Sequence, residues 1–485
     1  MKPNLVFPLA SSYDERGMIG YTSTTSGNDQ RKINCFYEIV QNPISGKTTL
    51  VLSKRPGVTR YEATTLGVST QVPYMAVTAE ASGTLPILFV KDGNITKSVD
   101  QINGSVTILN SASYAPNYIT KTNISGTTTY VVQLRQSAPA GAAQRVFYSS
   151  TLASWTEITD SVFTAINHQG QAVHMNGSMF ILGPTGIWGS DLNTLATWQS
   201  TNFVAKAIEQ DYAMGLLSFK GQIWAMGEKT AELFVYTSNS AGSNLMRVPE
   251  RFSRVGLGRM VYTDNSRTAY SAVVDDTLFF IGRFSDTYTN CLVAYDGSQF
   301  ERVSGDYEQK LLNTNLYGVQ SFSFLGRNAV AILMTPPNTS PCRWLMFFPE
   351  TKSWFEWEST VFSAINAGNW FTGIEDTKDI YSFAGDVFQD DATNYQFLTQ
   401  FRLPIEDDER KLMLECGVQA DTSTGTLNVS FNDTDGTTYG SARTLDMSAS
   451  RKSIARCGMF RNRFVRLDYT GSQPRRLRNF YATIR

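Results

Sequence analysis

The chain has 485 residues and carries 42 Lys and Arg against 43 Asp and Glu, a net charge of −1. A chain that neutral is excluded from wrapping nucleic acid with its whole surface, because such binding needs many phosphates neutralised. A hydrophobic fraction of 42% with 12% aromatics fills real cores and excludes a mainly disordered chain, and the length calls for two or three domains.

The first residues, Met1 to Ala10, hold an apolar run that Pro8 breaks, too short for the core of a secretion signal. No stretch reaches the roughly 18 apolar residues of a membrane-crossing helix, so no membrane-spanning segment is expected. Ser45-Gly46-Lys47-Thr48 imitates the end of a phosphate-binding loop. Gln41 stands where that motif opens with glycine, and an extended run, Thr48–Ser53, follows where a helix should. It mirrors Phe36–Val40 before the turn, so a hairpin is expected. Residues 1–60 are read as an N-terminal β segment packing on a propeller or on the C-terminal domain.

From about Tyr61 to Leu403 the texture is short strands of Thr, Ser, Val, Tyr and Phe, separated by turns such as Asp92-Gly93, Asn176-Gly177 and Asp296-Gly297. Helix-like runs are few and short, Val204–Gln210 among them. The fold class expected is all-β. An aromatic marker that starts a strand recurs at Trp155, Trp198, Phe300 and Trp354, with spacings of 43, 102 and 54 residues. The middle gap is close to twice the others, so one copy has lost its marker near Ile223–Met226 and Leu233–Tyr236. Seven residues after Trp155 comes Val162-Phe163-Thr164-Ala165-Ile166-Asn167, and seven after Trp354 comes Val361-Phe362-Ser363-Ala364-Ile365-Asn366. A period of 40–50 residues with several strands per unit is the signature of a β-propeller, here of six or seven blades over 61–403.

After Pro404 the acidic run Ile405–Arg410 reads as a hinge into a smaller β-sandwich or β-barrel, 404–485. Its strands are expected around Leu412–Val418, Leu427–Phe431, Ile454–Cys457 and Arg463–Tyr469. From Arg451 to Arg485 ten basic residues face one acid, a net of +9 that leaves −10 on the rest of the chain. Forked guanidinium groups suit carboxylate or phosphate partners. The candidate partner-docking residues are therefore Arg461, Arg463, Arg466, Arg475, Arg476 and Arg478, against the plainer reading of a solvated face.

Chemistry-bearing motifs are sparse. Two histidines, His168 and His174, and five scattered cysteines, Cys35, Cys291, Cys342, Cys416 and Cys457, give no metal-ligand spacing. The cysteines read as reduced thiols of a protein folded in a cytoplasm. Asn432-Asp433-Thr434-Asp435-Gly436 resembles a calcium loop but lacks the distal glutamate, and Thr434 spoils a sialidase-type Asp-box. Trp188, Trp224, Trp354 and Trp357 suit sugar stacking, but their repeat positions favour packing between blades. No catalytic set, cofactor site or metal site is expected.

Four stretches carry a family resemblance. Arg31-Lys32-Ile33-Asn34-Cys35-Phe36-Tyr37-Glu38 leads to Lys54-Arg55-Pro56-Gly57-Val58. Gly221 to Phe234 has the pattern Trp224-Ala225-Met226-Gly227, then Thr230 and Glu232. Asp276–Gly282 leads to Val293–Ser304. Val429–Asp433, Gly436–Gly440 and Arg463–Leu467 close the series. Taken in order, the chain resembles the packaged-DNA-stabilisation proteins of short-tailed bacteriophages, the tail hub or nozzle. Phe234 and Tyr439 stand where tryptophan is usual. The resemblance implies a structural virion protein rather than an enzyme. It would form a homo-hexameric ring below the portal and adaptor, located in the tail and assembled in the host bacterial cytoplasm. Such a ring extends the channel for double-stranded DNA, retains the packaged genome, and carries tail fibres or spikes and a needle or plug. The competing expectation is a secreted or virion propeller that binds or cleaves carbohydrate, which would need carboxylates spaced for glycoside chemistry.

Overall fold

The structure is a computed structural model that describes residues 5–10, 30–41, 48–60, 75–79, 86–92, 95–100, 106–109, 114–136, 144–151, 154–206, 211–237, 242–258, 271–287, 289–314, 316, 318–335, 340–367, 370–373, 380–403, 409–434 and 438–485. The hairpin tip at Ser45-Gly46-Lys47, the hinge residues Ile405–Asp408, and Asp435 and Gly436 lie outside them. The chain is all-β. Its short α-helices among the described residues are Ser161–Ala165 and Asp306–Leu312. Of Val204–Gln210, Val204 and Ala205 end the strand Trp198–Ala205, where Val204 pairs with Ile187, and residues 207–210 lie outside the described residues.

Seven antiparallel sheets follow one another along the chain. The first spans Met75–Ala79 to Val106–Leu109, the second Tyr114–Ile124 to Thr156–Glu157, and the third Gln169–Met175 to Trp198–Ala205. The fourth spans Ala213–Phe219 to Leu245–Ser253, the fifth Val255–Leu257 to Phe300–Arg302, and the sixth Gly318–Phe324 to Ser353–Ser359. The seventh has Phe362–Ala367, Trp370–Gly373 and Ile380–Ala384, and takes its outer strand, Gly57–Arg60, from the N-terminal segment. Each sheet touches the next, and the opening strand of the seventh touches the opening strand of the first. The apolar cores lie between neighbours: second and third, third and fourth, fourth and fifth, fifth and sixth.

The repeat markers occupy one structural slot. Trp198 and Phe300 open the last strands of their sheets, Trp354 is second in Ser353–Ser359, and Trp155 immediately precedes Thr156–Glu157. In the fourth sheet the slot is taken by buried Leu245, the first residue of Leu245–Ser253, which accounts for the missing aromatic. The shared tails diverge in backbone while keeping one device. Asp160 Oδ1 accepts from the amides of Val162 and Phe163 at 2.8 and 3.3 Å. Ser359 Oγ accepts from those of Val361 and Phe362 at 3.1 and 3.4 Å. Both phenylalanines are buried, Phe163 against Trp198 and Phe362 against Trp344. After the cap, the first tail coils as the helix Ser161–Ala165, whereas the second runs on as a strand because Trp370–Gly373 pairs with it.

The C-terminal residues form two facing sheets, and the N-terminal segment enters both. One is ordered Cys35–Gln41, Thr48–Lys54, Arg476–Ile484, Lys411–Ala420, Ser453–Phe460, with Leu5–Pro8 also on Arg476–Ile484. The other runs Gln30–Ile33, Gln396–Arg402, Phe464–Thr470, Thr426–Asn432, Arg443–Asp446, and joins the sixth sheet where Ile33 pairs in parallel with Glu356. The strand Gln396–Arg402, which a boundary at 404 leaves with the repeats, pairs along its length with Phe464–Thr470. One core, from Phe7 to Ala482, fills the space between these sheets and continues to Trp357 and Phe362.

Candidate functional site

The chain passes from the C-terminal sandwich to the seventh sheet through Lys54-Arg55-Pro56-Gly57, and this crossing gathers a dense polar network. Arg55 is fully buried. Its Nη1 and Nη2 donate to Asp390 Oδ1 and Oδ2 at 2.9 and 2.6 Å. Nε donates to Asn34 Oδ1 at 3.0 Å, Nη1 to Pro56 O at 3.0 Å and Nη2 to Glu358 O at 3.1 Å. Five donors thus have five acceptors, the condition under which a buried guanidinium is tolerated. Ser359 Oγ donates to Asp390 Oδ2 at 2.8 Å, and the Tyr395 ring lies 3.8 Å from Arg55 Cζ.

Lys54 is as deeply buried, yet its ammonium donates only to backbone carbonyls, Phe388 O at 2.8 Å and Gly471 O. The Tyr395 ring centroid is 4.1 Å away. Burial, and then the neighbouring Arg55 charge, bring its pKa down to about 7. Arg475 is buried too: Nη1 reaches Ser423 Oγ at 2.8 Å and Pro474 O at 2.9 Å, and Nη2 reaches Thr424 O at 2.9 Å. Its guanidinium stacks 3.7 Å over Tyr469 and its Nε has no acceptor. Among the described residues neither cation donates to a carboxylate, though the Asp390 charge acts on Lys54.

The six arginines proposed for docking do not share one outward face. Arg463 is internal, paired with Asp433 at 2.7 and 2.8 Å and donating to Cys457 O at 2.6 Å. Arg475 is internal as described. Both are thereby removed from an outward docking face, because Arg463 and the Nη groups of Arg475 hold the sandwich. Arg476 is half-buried in a fork on Glu38, at 2.9 Å from both oxygens, and reaches Asp421 at 2.9 Å. Arg478 shares Asp421 at 3.2 Å, and Arg466 lies 3.7 Å from Asp468. Arg461 is exposed in the turn before Phe464–Thr470. Glu38, Asp421 and Asp433, distant in sequence, therefore answer much of the tail's charge. Lys54, Arg55 and Glu38 were missed as site residues; the adjacent basic pair before Pro56-Gly57 was the available signal.

Elsewhere the titratable groups serve the interior. His168 and His174 are brought down to about 4 by burial. All five cysteines are free and buried. Cys457 and Cys416 have Sγ atoms 3.5 Å apart; the contact with Cys416 brings Cys457 down to about 7, and the same contact and burial push Cys416 up. Trp224, Trp354 and Trp357 are buried, which removes them as a sugar-stacking platform, while Trp188 is half-buried against Phe203. Among the described residues no group of three His, Cys, Asp or Glu could hold a metal, and no helix is long and apolar enough to cross a membrane. No family model matches the chain, and no curated protein matches it.

Proposed function

We propose that the chain is a structural virion protein, the ring-forming hub or nozzle of a short-tailed phage tail, built on a seven-bladed propeller with a C-terminal sandwich. The observation that carries the reading is the closed circuit of seven sheets, each touching the next and the last touching the first, with Gly57–Arg60 completing the seventh. Closure by a strand from the opposite end of the repeat region gives a rigid disc with few free edges, suited to a part that bears load. In support, the family-like stretch Gly221–Phe234 falls on one hairpin of the fourth sheet, and Asp276–Gly282 with Val293–Ser304 on consecutive strands of the fifth. Six copies would surround a DNA channel below portal and adaptor, carry fibres or spikes and a plug, and perform no turnover. An acidic body would let DNA slide, since a basic lumen would hold phosphates. Mass photometry and negative-stain imaging of the purified protein test this. Rings near six subunits are expected, alone or on an added adaptor; a persistent monomer that cleaves oligosaccharides would replace this reading with the carbohydrate one.

A further inference from the structure

Four separate parts of the chain meet around a recess of about 380 Å³ at the crossing. They are the hairpin Cys35–Gln41 with Thr48–Lys54, the tip of the sixth sheet's first hairpin at Leu325 and Arg327, the segment with Gly385 and Phe388 after Ile380–Ala384, and the turn Pro474–Arg476. Its walls include Lys54, Arg327, Arg475 and Arg476 but, among the described residues, only one acid, Glu38. Glu38 is already taken by the fork of Arg476. Arg327 donates to Tyr37 O at 2.6 Å and has Glu350 only at 4.0 Å. Lys54 and Arg475, both buried, bond to carbonyls and a hydroxyl. Arg476 is matched by Glu38 and Asp421 and Arg327 has Glu350, so among the described residues the charge left without a carboxylate ion pair in the wall is that of Arg475 and, below about pH 7, of Lys54, and it draws an anion in. Phe36, Phe388 and Pro474 add apolar wall.

We propose that this recess binds a carboxylate borne on an apolar body, the chemistry of an acidic side chain or a chain terminus within a hydrophobic segment of a partner polypeptide. A dianionic phosphate is the poorer fit, because the Glu38 carboxylate in the wall repels a second negative charge. A single carboxylate meets Arg475, whose Nε has no acceptor among the described residues, and Lys54, while its apolar body covers Phe36 and Phe388. The site stands independently of the ring reading.

Ligand-observed NMR on the full chain tests it with five probes: 3-phenylpropionate, its neutral isostere 3-phenylpropionamide, inorganic phosphate, and N-acetylphenylalanine against N-acetylglutamate α-methylamide to separate terminus from side chain. The expected result is saturable binding of 3-phenylpropionate, at least fivefold weaker for the amide and for phosphate. Binding should also weaken at least fivefold in Arg327→Gln, whose side chain lies at the rim, and in Lys54→Met, which keeps the stem and removes the charge. Arg327→Gln decides the matter if Lys54→Met does not fold. Absent binding, equal binding of the amide, phosphate binding more tightly, or an unchanged Arg327→Gln variant would each overturn the proposal.

Discussion

At the scale of single residues, the crossing at Lys54-Arg55 concentrates the energetic risk of the fold. Arg55 and Asp390 sit at 0% and 2% side-chain exposure, so neither charge has water to fall back on. Asp390→Ala leaves a fully buried guanidinium short of two acceptors, and the expected loss is about 3–5 kcal/mol in chemical denaturation. A loss below about 1 kcal/mol would mean that water reaches Arg55. The histidines give an acid limb. Their folded pKa of about 4 lies below the ordinary 6.5, so between these values the unfolded chain binds protons that the folded one does not. Stability should therefore fall as pH drops from about 6.5 to 4 and level off beneath, and His174→Gln should flatten that limb. Lys54 acts in the opposite range. Lowered to about 7 from 10.5, it is neutral in the fold while still protonated in the unfolded chain, so stability should rise as pH climbs above about 7. Arg55, Arg475, Asp390, Tyr395 and Tyr469 surround it, so Lys54→Met is the control that should remove this rise in a melting series.

At the scale of elements, the marker slot and the closure strand explain what the sequence made legible. A large aromatic at the start of a sheet's last strand fills the gap to the preceding sheet, so its chemistry repeats wherever the gap repeats. Trp354 illustrates this: buried between the fifth and sixth sheets and 4.8 Å from Phe347, it should cost about 3–5 kcal/mol when cut to alanine. An unchanged melting temperature would show the slot to be dispensable. Tight turns were equally legible, because Asn176-Gly177 needs positive φ at both residues and only such pairs supply it cheaply. Long-range pairing was not. Nothing local in Gln30–Ile33 says that it lies between Ser353–Ser359 and Gln396–Arg402, or that Gly57–Arg60 finishes a sheet more than 300 residues away in sequence. The one local trace is Gly57. A Cβ there would stand 1.9 Å from the Gln389 carbonyl oxygen, so the closure strand passes against backbone that cannot yield. Gly57→Ala should accordingly lower the melting temperature and open the seventh sheet, seen as faster hydrogen exchange in Ile380–Ala384 than in the third sheet. Equal protection in the two would mean that closure does not depend on that approach.

At the scale of the whole molecule, the counted charge of the C-terminal tail and its available charge differ, and the difference bears on how the protein would assemble. A net of +9 over 35 residues suggested a docking face. The fold instead draws acids from far along the chain onto it, Glu38 and Asp421 onto Arg476 and Asp433 onto Arg463. Composition cannot reveal such pairing, because it counts charges without knowing which sheets bring them together. Reversing Arg475, Arg476 and Arg478 together would therefore bury a carboxylate at 475 and break the Glu38 fork, and would report on folding rather than docking. Arg461 and Arg478 are the exposed members, and Asp421 keeps Arg476 when Arg478 is changed. Exposed pairs contribute only about 0.2–1 kcal/mol each, but a closed ring repeats every contact, so a small loss per subunit multiplies across the assembly. Arg461→Glu with Arg478→Glu should leave the melting temperature within about 2 °C of the parent, as surface changes usually do. The same variant should shift mass-photometry distributions from rings toward single subunits at low salt, and high salt should narrow the gap between variant and parent by screening both. If rings form equally well at low salt, the exposed arginines are solvated surface and the contacts between subunits lie on the sheets of the repeat region instead.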